Sequence, residues 1–252
     1  MCGVEMKYEI KESAALSELA SIAEGIVNEL ADELEVKRPL PVSRKLYVEG
    51  KTLILAKTLQ EEYKKVLLQM SRVGEVLDDE LTRLPEIERE SYSKELSLAM
   101  EMLKSGIDSD DLEKAGSLQS LLKLRNETLL WIYRLGAQRF EEKKFDEALS
   151  FFMVLVALNS RVCDYWIALG TTQQALLLDA DALISFSLAA VLDPEYAMPK
   201  CHSAEIYLRL GRFDEASLEI EALAEIIQKK NLDSLKSYLE CLQNKLVNRQ
   251  SS

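Results

Sequence analysis

Histidine occurs once in the 252 residues, as His202, and that scarcity narrows the chemistry open to the chain. A Ser–His–Asp or Cys–His arrangement would have to use this one ring. Its neighbour Cys201 points in a different direction on a helix, so the two cannot readily share a proton. A packed or solvated histidine is the expected role, no catalytic residue is assigned, and the chain is read as not an enzyme. The four cysteines, Cys2, Cys163, Cys201 and Cys241, are scattered without paired spacing. Zinc is not expected from such a set, and free buried thiols in a reducing cytoplasm are. No glycine-rich phosphate loop appears, so no cofactor is expected either.

Other absences bound the class. Glycine (9) and proline (5) are few while 48% of residues are hydrophobic, which favours a compact, mostly helical protein over disorder. No window approaches the roughly eighteen apolar residues of a membrane span. The longest apolar run, Phe151 to Leu158, suits a buried helix, and membrane insertion is not expected. Met1 to Glu12 carries alternating charges and no apolar core, so no secretory leader is expected and a cytoplasmic location is. A basic surplus is also missing. Lys and Arg number 15 against 23 Asp and Glu through residue 110, and 16 against 20 after it, giving a net charge of −12. Without a basic face there is nothing to neutralise phosphates, so nucleic acid is a poor partner.

What is present is one pattern written three times between Ile132 and Gln228. Leu135-Gly136 is followed by Phe145, Ala148 and Phe152. Trp166 and Leu169-Gly170 are followed by Ala182, Phe186, Ala189 and Pro194. Ala204, Tyr207 and Gly211 are followed by Phe213, Ala216, Ile220 and Leu223. Gly136, Gly170 and Ala204 lie 34 residues apart, as do Ala148, Ala182 and Ala216. This period and these residue types are the tetratricopeptide signature, in which small residues sit where two helices cross and aromatics fill the holes. The fold class is all-α: a superhelix of three helix pairs, near 127–141 with 145–158, 162–176 with 180–192, and 197–210 with 213–229. Residues 232–247 carry Leu232, Leu235, Tyr238, Leu239, Leu242 and Leu246 at helical spacing and are expected to cap the open end.

A helical N-terminal region precedes the array. Leu16, Leu19, Ala23, Ile26, Val27, Leu30 and Leu34 make one apolar face over residues 13–35, stopped by Arg38-Pro39-Leu40-Pro41. Residues 45–56 read equally as a short hairpin or a helix entry. Ala56, Leu59, Tyr63, Val66, Met70, Val73 and Leu77 then form a seam of the coiled-coil type. Pro85 ends or restarts that helix, and Leu96, Ala99, Met100 and Leu103 mark another, closed near Ser105-Gly106. The seam is expected to be covered by its neighbouring helices in a small bundle separate from the array. Residues 107–111 are the expected linker, so residues 1–110 form the extension and 111–252 the repeat domain. Asp108, Asp110 and Asp111 invite a calcium reading, but Leu112 and Glu113 fall where a ligand and the glycine should be. Asp110 is instead expected to cap a helix, and Asn126-Glu127-Thr128 to start one.

Stacked helix pairs curve, and the first helix of each lines the inner surface. The positions one turn either side of the Leu-Gly site are Tyr133, Ala137 and Phe140; Ile167, Thr171 and Gln174; and Cys201, Glu205 and Leu208. Their mixture of aromatic, apolar and polar groups suits an extended peptide. The alternative is that Tyr133 and Phe140 pack on the preceding segment.

The run from Glu127 to Ala148, ETLLWIYRLGAQRFEEKKFDEA, resembles the opening repeat of the class II chaperones of type III secretion, which bind hydrophobic translocators. The likeness continues through Phe152, Val156-Ala157-Leu158, Asp164 to Gly170, Gln173-Gln174, Ala190 to Asp193, His202 to Leu208, and Gly211. It covers roughly residues 112–245. The resemblance implies an acidic cytoplasmic chaperone, often a homodimer, holding an extended segment of a secreted translocator or effector in its concave groove. By that likeness Tyr133, Phe140 and Phe145 match aromatic groove positions, whereas Ala137 stands where a larger aromatic is usual. The 110-residue extension is a departure, since the family's segment before the repeats is short. A scaffold or regulatory protein built on the same array is the alternative function.

Overall fold

The computed structural model describes residues 68–105, 111 and 114–250. The helix expected at 13–35, its proline stop, the ambiguous 45–56 stretch, the first four seam positions and Asp110 lie outside them. Among the described residues every regular element is helical. Residues 68–83 form α1, and after Pro85 the chain restarts as α2 (Glu86–Ser105). The short α3 (Leu118–Leu121) begins under Ser117, whose side chain accepts a hydrogen bond from the Ser120 amide.

The array then follows in three pairs. These are α4 (Asn126–Glu141) with α5 (Phe145–Leu158), α6 (Cys163–Ala175) with α7 (Asp179–Leu192), and α8 (Ala197–Arg209) with α9 (Phe213–Lys230). A 3₁₀ turn, Asp233–Leu235, leads into α10 (Lys236–Gln250). Each helix packs on the next in chain order, from α4 through α10. The three expected pairs and the cap are all present.

Within each pair the crossing is set by side-chain volume. A Cβ placed on Gly136 would lie 2.9 Å from Phe151 Cβ and 3.1 Å from the Phe152 ring, and one on Gly170 would lie 2.7 Å from the Phe186 ring. In the third pair both partners change together. Ala204 stands in the small position and Ile220, in the same core cluster, stands where the first two repeats place phenylalanine. The helix axes approach closely in all three because small and large residues are matched.

The bend inside each pair is equally repetitive. The Lys143 amide bonds the Phe140 carbonyl and the Lys144 amide the Arg139 carbonyl; Leu177 and Leu178 repeat this with Gln174 and Gln173, and Gly211 and Arg212 with Leu208 and Tyr207. This pair of bonds is a Schellman closure, which places its pivot in the left-handed region. Lys143, Leu177 and Gly211 have φ of 60°, 60° and 72°. Only the third copy uses glycine, so the first two hold a side chain in a conformation costing on the order of 1–2 kcal/mol.

The described part of the extension joins the array and is not a bundle apart. Val73 and Leu77 of the seam, with Ala99 of α2, share one core with Leu122, Leu129, Ile132, Val154 and Leu158. The physical reason is that the first repeat has no preceding neighbour, and its outer face needs cover as much as the seam does. Polar contacts fix the register of this docking. Glu80 pairs with the buried Arg139 at 2.7 Å, and Glu95 accepts from Arg125 Nε at 2.8 Å and from Thr128 at 2.9 Å. Tyr92 stacks on Trp131 at 4.8 Å between ring centroids. At the other end Leu242 is fully buried against the third repeat, with Tyr238 and Leu239 beside it.

Two predictions test these constraints. Leu177 is 71% exposed, so Leu177→Gly relieves backbone strain and removes little packing. It should stabilise the protein by about 1 kcal/mol in denaturant titration; a loss of stability would contradict the strain argument. Gly170→Ala should destabilise by about 1–3 kcal/mol despite alanine's better helix propensity, because the fully buried Phe186 ring has nowhere to go. Adding Phe186→Ile should recover part of that loss, and strict additivity would show the two positions to be uncoupled.

Candidate functional site

Tyr133, Ala137 and Phe140 rise along α4 at one-turn spacing, and all three are half-buried. Their neighbours explain the burial. The Tyr133 ring tilts against Phe152 at 5.6 Å and stacks on Tyr165 at 6.0 Å; Phe140 tilts against Phe145 at 5.2 Å. Both rings are therefore attached to the array's core by one side and partly open on the other. The expected lining residues and the expected packing residues are the same residues. Burial, followed by the nearby charges of Asp164 and Tyr196, pushes the Tyr133 phenol up from its ordinary pKa, so it remains a hydroxyl donor.

Ile167, Thr171 and Gln174 continue the surface on α6, each half-buried. Gln174 Nε2 reaches Glu205 Oε2 on α8 at 3.5 Å, and Gln174 Oε1 meets His202 Nδ1 at 2.9 Å. The third repeat departs from expectation. Cys201 and Leu208 are 2% and 3% exposed and belong to the core that α10 closes. Because α10 lies against α8, the positions that line the surface in the first two repeats are covered in the last. Glu205 stays half-buried near Tyr238 of α10, whose own pKa is raised by burial and then by that carboxylate. Gln174, Glu205, Leu208, Arg209 and Lys245 enclose a pocket of about 280 Å³ where α6, α8 and α10 meet.

Asp164, Tyr165 and Tyr196 belong to this surface and were not assigned to it from spacing. Asp164 acts on Tyr133, Tyr165 and Tyr196 together, after burial in each case, raising all three phenols. Tyr165 stands two residues before Ile167, so a one-turn rule passes over it.

His202 is a packing residue. Its ring stacks on Phe186 at 4.9 Å with planes 6° apart. Among the described cysteines Cys201 is buried, its thiol pushed up to about 11 by burial and then by Glu205, while Cys163 is half-buried and Cys241 exposed. The expectation of buried thiols therefore fails at Cys241, which sits on the outer side of the terminal helix. Among the described residues no group of three potential metal ligands occurs, and no helix is long and apolar enough to cross a membrane.

The array has counterparts of known kind. No family model matches the chain. Low calcium response locus protein H of Yersinia pestis is 27% identical over 138 residues, covering 55% of this chain and 77% of that protein. A type III secretion complex from Aeromonas hydrophila aligns with a TM-score of 0.53 at 26% identity, over 56% of this chain and 94% of that one. The array resembles the translocator chaperones of type III secretion. PcrH in complex with the chaperone binding region of PopD is another such chaperone, aligned over 50% of this chain and 96% of its own at 26% identity and a TM-score of 0.48.

The site also makes a pH prediction. Burial lowers the His202 pKa in the folded state, with Glu205 partly opposing, whereas the unfolded chain titrates near the usual value of about 6.5. The unfolded state therefore binds the proton first as pH falls, so this contribution is fully present above about 6.5 and is lost as pH drops towards the depressed folded value. Between about pH 7.5 and 5.5 the melting temperature should fall more steeply for the native chain than for His202→Gln. Parallel curves would mean that the ring is not held neutral.

Proposed function

We propose that this chain is a chaperone of type III secretion that holds an extended segment of a hydrophobic translocator, or a related secreted protein, on the inner surface and keeps it soluble before export. The observation that carries the reading is the row of half-open aromatic rings, Tyr133 and Phe140 with Tyr165, on helices that the core holds rigid. Such rings offer wide apolar contact at small entropic cost, and the tyrosine hydroxyls with Gln174 and Thr171 offer partners for an extended backbone. The likeness to Low calcium response locus protein H and to the Aeromonas hydrophila complex supports the same reading. We place the protein in the cytoplasm, assign it no catalysis, and keep a homodimer as a second expectation.

The surface is bounded rather than continuous. Ile167 and Thr171 extend it from the aromatic row, and Gln174 with Glu205 ends it in the pocket under α10. Cys201 and Leu208 act behind it as packing. Residues 1–110 remain an extension to the 111–252 repeat domain in this proposal, with α1 and α2 serving the array as its N-terminal cover.

Ala137 provides the cleanest test, because Ala137→Trp adds bulk to the inner surface without removing a ring from the core. Measured against a co-purified translocator, it should weaken binding at least about tenfold while melting within a few degrees of the native chain. Tyr133→Ala with Phe140→Ala should cost about 2 kcal/mol each, roughly a thousandfold together, accompanied by some loss of stability because both rings pack inward. Undiminished binding by Ala137→Trp would move the client to another surface.

A further inference from the structure

The second helix of each repeat faces outward, and the three outer faces are not alike. On α7, Ile184, Leu188, Val191 and Leu192 are 59%, 39%, 76% and 40% exposed. Their spacing places them in one stripe, and no charged residue occurs between Ala182 and Leu192. One repeat earlier the same positions are Ser150, Val154, Ala157 and Leu158, and all but Ala157 are buried. Their cover includes the extension. The Ser150 hydroxyl donates to Gln69 Oε1, and Val154 and Leu158 share one core with Val73 and Leu77. One repeat later the stripe is broken, because Ala222 and Glu225 stand in place of Leu188 and Val191. The second repeat thus keeps an apolar outer face without the cover that the first one has, and such a face is costly to leave in water.

Chain path and charge select the occupant. Helix α1 crosses the first repeat from Gln69, on α5, to Glu80, paired with Arg139 in the last turn of α4. The residues that precede α1 therefore leave from the outer side of the array. Residues 36–67 carry eight Lys and Arg against three Glu, a basic stretch in an acidic chain. The helices α5, α7 and α9 have the opposite balance, nine Asp and Glu against Lys229 and Lys230. Within the stretch Leu46, Tyr47, Val48, Leu53, Ile54 and Leu55 supply apolar side chains. The 13 residues between Leu55 and Gln69 span about 20 Å even when helical, enough to cross two helices of about 10 Å each.

We propose that residues 36–67 fold back on the array and seat the apolar run Leu46–Leu55 on the α7 stripe, with their lysines towards the carboxylates of the outer helices. The extension then covers two outer faces in succession, α1 on the first repeat and this segment on the second, and leaves Tyr133 and Phe140 on the inner surface free. Residues 13–35, with six acidic residues and no Lys or Arg, are opposed by the charge of the outer helices. A second copy is opposed in the same way, since it brings a net charge of −12. Four side chains on one helix also fall well short of the ~800 Å² a side that separate chains bury in a stable pair. A tethered segment needs far less area, because its effective concentration is on the order of millimolar.

Amide hydrogen exchange of the full chain tests the contact. In the native chain residues 46–55 should exchange at least about tenfold more slowly than an unstructured segment. Leu188→Glu with Val191→Glu should remove that protection, while the array helices keep theirs because both positions are exposed. A p-benzoylphenylalanine placed at Val191 should cross-link to residues 36–67 of its own chain, and one at the equivalent Glu225 should not. Unprotected residues 46–55 in the native chain, or protection that survives the double substitution, would overturn the proposal, as would equal cross-linking from the two positions. Cross-links from position 191 to a second chain would overturn it in favour of a dimer contact. Cross-links from there only to a co-purified translocator would overturn it in favour of an outer client site.

Discussion

The structure depends on how closely two helices can cross inside each repeat. Gly136 under Phe151 and Phe152, and Gly170 under Phe186, leave no space for even a methyl group. Where the aromatic is replaced by Ile220, the glycine is replaced by Ala204, and the core stays filled. Every other feature follows from this separation. The inter-axial distance sets the tilt of one pair on the next, and the tilt sets the curvature that turns the first helices inward. The aromatic rings that close each crossing also support those on the inner surface, as Phe152 supports Tyr133.

This shared use of rings explains what could be read from the sequence. The 34-residue period placed all six array helices because it is imposed by packing that every repeat must satisfy alike, and helical spacing of apolar residues beyond it placed the cap. The surface was less legible because it is not periodic in the same way. Tyr133, Ile167 and Cys201 occupy one position in three repeats, yet Tyr133 is half-open and Cys201 is buried. The difference lies in what packs on each helix, α10 in the last case, and no local pattern encodes that neighbour. Tyr165 shows the converse: its place beside Tyr133 arises from the stacking of two repeats and not from spacing within either.

Backbone strain shows how strongly packing dominates local preference here. The same left-handed pivot is required after α4, α6 and α8, and the residues available are Lys143, Leu177 and Gly211. Only the last is suited to it. In the other two the paired Schellman bonds and the docking of the following helix hold the conformation against its cost. A reading based on turn residues would have missed two of the three bends, whereas the hydrophobic period finds all three.

The two ends of the array are closed by different means, and that difference bears on what each end can do. At the C-terminal end α10 buries Leu242 completely, with Tyr238 and Leu239 packed beside it on the third repeat. At the N-terminal end Val73, Leu77 and Ala99 are buried against the first repeat, and the polar pairs Glu80–Arg139 and Glu95–Arg125 fix the register of that contact. Ion pairs with a buried partner define geometry better than they add stability, because desolvation offsets much of their attraction. Removing Glu80 would still be costly, since it would leave Arg139 buried with fewer opposing charges. The N-terminal cover is thus specified in position by its ion pairs and held by its buried apolar contacts. Such an arrangement preserves the rigidity that the inner surface needs from α4.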